Sequence, residues 1–257
     1  MATYGKVFER YELKYILTKQ DYEFIKEELS KHMNIDKYGR TTIQSIYYDT
    51  PTNLLVRRSI EKPTFKEKIR LRSYGLANET SPCYLELKRK CQGLVYKRRI
   101  QVCEQDAETF FERENVAGNG QIARELAYFR DHYKKLQPTF LILYERESYY
   151  KEGSEVRVTF DFNPRYRVED VNLHTSLEGI PLLDENTYLM EIKVLHNMPL
   201  WLARILTKGK IRRGSFSKIG KAYTLEKMKG NIPNSKELEI KEENLWKTYS
   251  IQYSMVQ

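Results

Sequence analysis

Apolar and polar residues alternate with a period of two over much of the first two-thirds of the chain. In FKEKIRLRSYG, Lys66, Lys68, Arg70 and Arg72 interleave with Phe65, Ile69 and Leu71. Side chains two apart in a strand share a face, so this segment has one cationic face and one mostly apolar face. YLELKRK sets Glu86, Lys88 and Lys90 against Leu85 and Leu87, and after a turn at Gln92-Gly93, VYKRRIQV sets Lys97, Arg99 and Gln101 against Tyr96, Ile100 and Val102. EVRVTFDF aligns Arg157, Thr159 and Asp161 opposite Val156, Val158 and Phe160, and YLMEIKV aligns Glu191 and Lys193 opposite Met190, Ile192 and Val194. Near the start, RYELKY places Arg10, Glu12 and Lys14 on one side and Tyr11, Leu13 and Tyr15 on the other. Helical spacing is rarer. Tyr22, Ile25, Leu29 and Met33 predict a helix over 21–32, opened by a capping box of Thr18 and Asp21. Ile122, Leu126 and Phe129 predict another over 121–136, with shorter helices at 106–113, 200–206 and 217–228. Residues 229–237 (KGNIPNSKE) read as a linker, so the chain divides into a main domain, 1–228, and a linker with a C-terminal tail, 229–257, that packs as a last helix.

Composition narrows the function classes. The 257 residues suffice for one large domain with a sizeable core, and 40% hydrophobic with 12% aromatic residues excludes wholesale disorder. Lys and Arg outnumber Asp and Glu, 44 to 35, and the net charge of +9 points to an anionic partner. No apolar run is long enough to span a bilayer, and the amino terminus lacks the apolar stretch of a signal peptide, which predicts a cytoplasmic protein. The three cysteines show no CxxC spacing and read as reduced thiols, and the four histidines form no zinc-ligand pattern. A nucleic-acid partner is disfavoured: there is no helix-turn-helix, zinc-finger or RNP signature, and the cations lie on strand faces rather than along one helix.

Two architectures produce these charged strand faces. One is an antiparallel sheet with a solvated side. The other is a curved sheet or closed barrel whose apolar faces pack outward on helices and whose basic faces line the lumen. Two like unit charges 4 Å apart repel by roughly 4 kcal/mol at an effective dielectric near 20. A crowd of facing cations is therefore costly unless an anion regularly occupies the space, and Arg suits bidentate contact with phosphate oxygens.

An ordered set of motifs then decides between them: FERYELKY, SIYYDT, KIRLRSYG, YLELKRK, YERESYY, VRVTFD, LMEIKV and SFSKIGKAY, spanning residues 6–227. In this order they resemble the VTC domain, the polyphosphate polymerase branch of the triphosphate tunnel metalloenzyme (CYTH-like) superfamily. The resemblance implies an α+β fold: a tunnel-shaped antiparallel β-barrel with a polar, basic lumen and helices packed outside. It implies transfer of the γ-phosphate of ATP to a growing inorganic polyphosphate chain, with a divalent metal, Mn2+ or Mg2+, as cofactor. It also implies site roles. Lys14, Arg70, Arg72, Lys88, Glu191 and Lys218 are the catalytic set, with Glu191 holding the metal. Lys97, Arg99, Arg146, Arg157, Lys193 and Ser217 bind substrate. The partners are ATP and inorganic polyphosphate or phosphate, with no nucleic acid and no membrane span, although a membrane-protein partner is compatible. Related triphosphatases and class IV adenylate cyclases carry Glu-x-Glu-x-Lys in the first strand. Arg10 stands here at the first Glu, which favours the polymerase branch.

No Ser-His-Asp or Cys-His set is evident, and phosphoryl transfer to a terminal phosphate, already an oxyanion at neutral pH, needs no dedicated base. A through-tunnel would let product leave as a thread. Two other readings fit the same basic interior: a triphosphatase that delivers water to the γ-phosphate, and a non-catalytic polyphosphate-binding module. Asp49 of SIYYDT reads as ordering the strand end rather than binding metal.

Overall fold

The computed structural model describes residues 11–61, 63–92, 94–112, 120–195 and 197–233. The predicted C-terminal helix and Arg10 lie outside the described residues. In chain order the elements are β1 (Tyr11–Leu17), α1 (Lys19–Ser30), β2 (Asn34–Ile35), β3 (Thr41–Asp49), α2 (Leu54–Ile60), β4 (Phe65–Tyr74), β5 (Cys83–Cys91), β6 (Leu94–Val102), α3 (Glu104–Phe111), α4 (Gln121–Tyr133), β7 (Gln137–Tyr150), β8 (Arg157–Arg167), β9 (Ile180–Pro181), β10 (Tyr188–Val194), α5 (Leu200–Lys208), β11 (Arg213–Gly214) and α6 (Lys218–Met228). The class is α+β, as expected. The strands join one antiparallel sheet in the order β11-β1-β10-β8-β7-β3-β4-β5-β6, with β2 added to β7 and β9 to β8.

The backbone ladder is not closed: β6 and β11 end the sheet without pairing to each other. Side chains bring the two arms together instead. Lys88 of β5 donates to both carboxylate oxygens of Glu12 on β1, at 2.9 and 3.1 Å. The expected barrel is thus a curled, open sheet bridged by charge.

The alternation assigns the two faces. On the outer face, Ile46, Tyr48, Ile69, Leu71, Leu85 and Leu87 pack beneath α3 and α4 through Phe110, Leu126 and Phe129. Tyr15, Leu17, Val158, Phe160, Met190 and Ile192 pack beneath α1 and α5 through Tyr22, Ile25, Leu29, Leu202 and Leu206. Removing this much apolar surface from water is what drives the two layers together. α1 opens with the predicted capping box: Thr18 and Asp21 satisfy each other's backbone N–H groups.

One helix departs from the expected layout. Ile219, Ala222 and Tyr223 of α6 pack with Ile43, Phe140, Ile142, Tyr144 and Tyr166. By register those partners lie on the concave face, since Ile142 stands opposite Ser45, which in turn faces Arg72. Half of the concave face is therefore apolar and covered by α6, not basic throughout. The strand β8 serves both halves. Its register slips against β7 between Leu143 and Glu145, with Asn163 in left-handed conformation (φ 45°). That bulge lets Asp161 and Tyr166, an odd number of residues apart, face the same side.

Helix α2 was not anticipated. Its N-cap position, Asn53, makes no side-chain capping bond. The carboxylate of Asp49 caps it from the end of β3, accepting from the N–H groups of Leu55 and Val56 at 2.8 and 2.9 Å and from Thr50 at 2.8 Å. Asp49 thus has the structural task expected of it.

Candidate functional site

The basic half of the concave face is assembled by register. Across β4, β5 and β6, Lys68 lies opposite Lys88 and Lys88 opposite Lys97, and the next row is Arg70, Glu86 and Arg99. Arg70 and Arg72 also oppose Tyr47 and Ser45 of β3. On the other arm, Lys14 opposes Glu191, Glu191 opposes Thr159, and Asp161 opposes Arg146.

Like charges directly opposite one another destabilise a sheet, and buried carboxylates interrupt them. Glu86, 1% exposed, takes Nε and Nη2 of Arg70 at 2.9 and 2.8 Å and Lys97 at 2.5 Å, with Arg72 at 3.8 Å. Asp161 takes Nε and Nη2 of Arg146 at 2.5 and 2.8 Å and also pairs with Lys218. Glu191 pairs with Lys193 at 3.0 Å. Two lysines meet the start of α6 instead: Lys14 donates to the Phe216 carbonyl at 3.0 Å, and Lys68 to Ser217 Oγ at 3.4 Å. Ser217 is the N-cap of α6 and also accepts from Gly220 N–H. Tyr144 accepts from Nη2 of Arg72 at 3.4 Å, and Lys218 lies over its ring.

Proton affinities follow from this crowding. Burial pushes Glu86 up, but Arg70, Arg72 and Lys97 outweigh it and bring it to about 2. Burial likewise opposes Lys193, Arg146 and Lys14 at Glu191, which also ends at about 2. Asp161 is held well below the carboxylate range by Arg146 and Lys218 in spite of its burial. Burial lowers Lys68 to about 8, aided by Lys14, Lys66 and Lys88 and opposed by Tyr47. Burial lowers Lys97 to about 8 against the pull of Glu86. Burial raises the phenol of Tyr47, yet Arg70, Lys68 and Arg72 bring it down to about 7. Shifts of this size from desolvation plus named charge partners make these residues candidates for a functional site.

The structure brings together Lys14, Arg70, Arg72, Lys88, Lys97, Arg146, Glu191, Lys193, Ser217 and Lys218. It sets one predicted residue apart: Arg157 begins β8, half-exposed and paired with Asp36 at 3.0 Å. Arg99 stands opposite Glu86 in the basic row, exposed at its rim with its guanidinium over the Tyr84 ring at 4.4 Å. Tyr47, Ser45, Tyr144 and Lys68 join the cluster without having been singled out. Lys68 shares its strand face with Arg70 and Arg72 in the alternation itself; the signal of the other three lies in cross-strand register, which a single strand's alternation does not carry.

Among the described residues no group of three or more His, Cys, Asp or Glu is placed to hold a metal ion. The donor chemistry nonetheless fits one mode. Glu191 is ionised, and a small hard divalent cation is commonly held by one or two carboxylates with substrate phosphates and waters completing its shell. Glu191 alone could anchor such an ion; a metal cage built from protein groups does not fit.

The family model for the VTC domain matches residues 9–226. No curated protein matches the chain by sequence. Among solved structures, a candidate adenylate cyclase from Bacillus halodurans superposes with a TM-score of 0.52 at 14% identity, over 80% of this chain and 92% of that one. A candidate adenylyl cyclase from Hippeastrum with a dominant triphosphatase activity gives a TM-score of 0.49 at 15% identity, over 81% and 92%. At 14% identity the Bacillus protein shows a shared fold and nothing further.

Proposed function

The chain belongs to the VTC domain family, and from that premise we propose that it is a polyphosphate polymerase that moves the γ-phosphate of ATP onto a growing inorganic polyphosphate chain. The observation that carries the reading is the convergence of Lys14, Arg70, Arg72, Lys88, Arg146 and Lys218 from separate elements on one face, beside the ionised Glu191. Arg70 and Arg72 bind and orient the triphosphate. Arg146 and Lys218, held by Asp161, place fixed positive charge where the transferring phosphoryl group develops negative charge. Lys14 and Lys68 approach the same space from beside the first turn of α6. Such transfer is mostly alignment and charge neutralisation, and the terminal phosphate of the acceptor needs no base. Glu191 would hold a divalent ion, which when bound neutralises phosphoryl oxygens.

A triphosphatase is the second reading. The seating of α6 on the concave face favours it, because that helix occupies part of the space that a threading product would need. One gel separates the two. Purified protein with ATP and Mn2+ yields a ladder of long chains if it polymerises and orthophosphate alone if it hydrolyses; neither product leaves only a binding module. Arg72→Ala should weaken tripolyphosphate binding at least tenfold in a calorimetric titration, and Glu191→Gln should abolish metal-dependent turnover. Unchanged affinity or full activity would remove those residues from the site.

A further inference from the structure

Tyr47 is not among the residues that family resemblance assigns a role, yet it sits on the most heavily bonded cation of the cluster. Arg70 has five N–H donors in a fixed planar fork. Nε donates to Glu86 at 2.9 Å, Nη2 lies 2.8 Å from the same carboxylate, and Nη1 donates to the Tyr47 hydroxyl at 3.0 Å. This leaves N–H bonds on both terminal nitrogens without a partner among the described residues. Glu86 and Tyr47 thus hold the fork from two sides. Neither support is loose. Glu86 is buried in the middle of β5. Tyr47 lies opposite both Arg70 and Phe140, its ring packs against the apolar cluster around α6, and Thr139 Oγ1 donates to its backbone carbonyl at 3.1 Å.

We propose that Tyr47 is a positioning residue for Arg70: with Glu86 it locks the guanidinium so that its remaining N–H bonds are presented to a triphosphate, and its proton makes that grip pH-dependent. The inference rests on the proposed triphosphate site. A phenol accepting one bond from Arg70 leaves the cluster's charge intact. A phenolate in the same place holds Arg70 more tightly while cancelling one positive charge, which weakens the attraction for a polyanion. The charged groups around the hydroxyl come from β4, namely Lys68, Arg70 and Arg72, while Phe140 from β7 and Ile219 from α6 bring none. Asp49, at the end of Tyr47's own strand, lines the same small cavity, but its carboxylate is committed to the α2 N–H groups. With the phenol titrating at about 7, the change falls within the neutral range.

The test is calorimetric titration of the full-length protein and of Tyr47→Phe with inorganic tripolyphosphate, without metal, at pH 6 and pH 8. Comparison with the variant cancels the titration of the ligand and of Lys97, and repeating both titrations in a Lys68→Met background removes that of Lys68, which Tyr47 itself influences. Between those pH values the dissociation constant of the wild type should rise relative to that of Tyr47→Phe by up to about tenfold, the limit for one group with a pKa near 7 whose deprotonated form does not bind. At pH 6 the variant should bind about threefold more weakly than the wild type, because Arg70 has lost one support, and in an Arg70→Ala background Tyr47→Phe should have no further effect. A pH-independent ratio, or an undiminished effect without Arg70, overturns the proposal. If the wild type binds no tripolyphosphate at all, the proposed function fails first. Should Tyr47→Phe not fold, the near-ultraviolet absorbance of tyrosinate is followed in Tyr144→Phe, which removes the other phenol lowered by this cluster: one tyrosine must still ionise near neutrality, and none doing so overturns the inference.

Discussion

The two halves of the concave face share strands β3, β7 and β8 but solve opposite problems. In the apolar half, Ile43, Phe140, Ile142 and Tyr166 meet Ile219, Ala222 and Tyr223 of α6, and stability comes from contact and from removing carbon surface from water. In the basic half, Arg70, Arg72, Lys97, Arg146 and Lys218 crowd two carboxylates, Glu86 and Asp161. There the protein supplies only part of the counter-charge and leaves cations over. The first half holds itself together; under the proposed function the second is completed by an anion. Perturbing each half should therefore produce different kinds of loss, not merely different amounts.

The largest effect is expected in the basic half. Asp161→Ala leaves Arg146 and Lys218 facing each other without their carboxylate, and breaking a buried pair by removing one partner costs about 3–5 kcal/mol. For a domain of this size that is a fall in melting temperature on the order of 10 °C. Millimolar tripolyphosphate should restore much of it, since the ligand replaces the missing negative charge and binds only the folded state. Ile219→Ala breaks the other half. It should cost about 2–4 kcal/mol through the cavity it leaves, and tripolyphosphate should stabilise the variant by no more than it stabilises the wild type. Equal rescue of both variants in thermal melts would show that the halves are not energetically distinct.

How far each half could be read from the chain differs for the same reason. Apart from Glu67 and Arg89, which pair with each other beneath α4, Lys66 to Arg72 and Glu86 to Lys90 alternate closely enough that a single strand reveals its basic face, and the motifs then point to the fold. The apolar half hides its location. Phe140, Ile142 and Tyr144 lie in a run, PTFLILY, that is apolar on both sides, because Leu141 and Leu143 face the outer core while their neighbours face α6. A two-sided strand has no alternation to read. α6 looks like one more surface helix until Tyr166 and Ile142 are known to lie on the concave side, and that depends on the bulge at Asn163. The open edge between β6 and β11 is likewise a matter of closure geometry rather than of local pattern.

Acid should also separate the halves. Glu86 and Glu191 titrate at about 2 in the folded protein, below the value of roughly 4.3 of an unfolded chain. The unfolded state therefore binds more protons between these limits. Stability from the two carboxylates is fully present above about pH 4 and is lost as pH falls from about 4 towards 2. Urea titrations at pH 5, 4 and 3 should show that slope, and Glu86→Gln should flatten it. Ile219→Ala should shift the curve down without changing its shape, since no titrating group is lost. An unaltered slope in Glu86→Gln would mean that its carboxylate is not held low by Arg70, Arg72 and Lys97.

The smallest effect has the same sign and lies at high pH. Lys68 and Lys97 are lowered to about 8 by burial, whereas lysine in an unfolded chain titrates near 10.4. Between about pH 8 and 10 the unfolded state again holds more protons, so stability should rise with pH, where most proteins are level or declining. The gain is modest because Lys97 keeps contact with water, which screens its interactions. Lys97→Met should remove part of the rise and also relieve some repulsion at pH 7, so its curve should start slightly higher and climb less. The same substitution leaves Glu86 bound to Arg70 alone at short range, with Arg72 further off, which keeps the carboxylate paired and the strand intact. A rise of wild-type steepness in Lys97→Met would place the titrating lysine elsewhere, with Lys68 the remaining candidate, and Lys68→Met would then have to flatten it. If neither variant does so, the cations of this face are better solvated than their burial suggests, and the basic half owes less to a bound anion than its crowding implies.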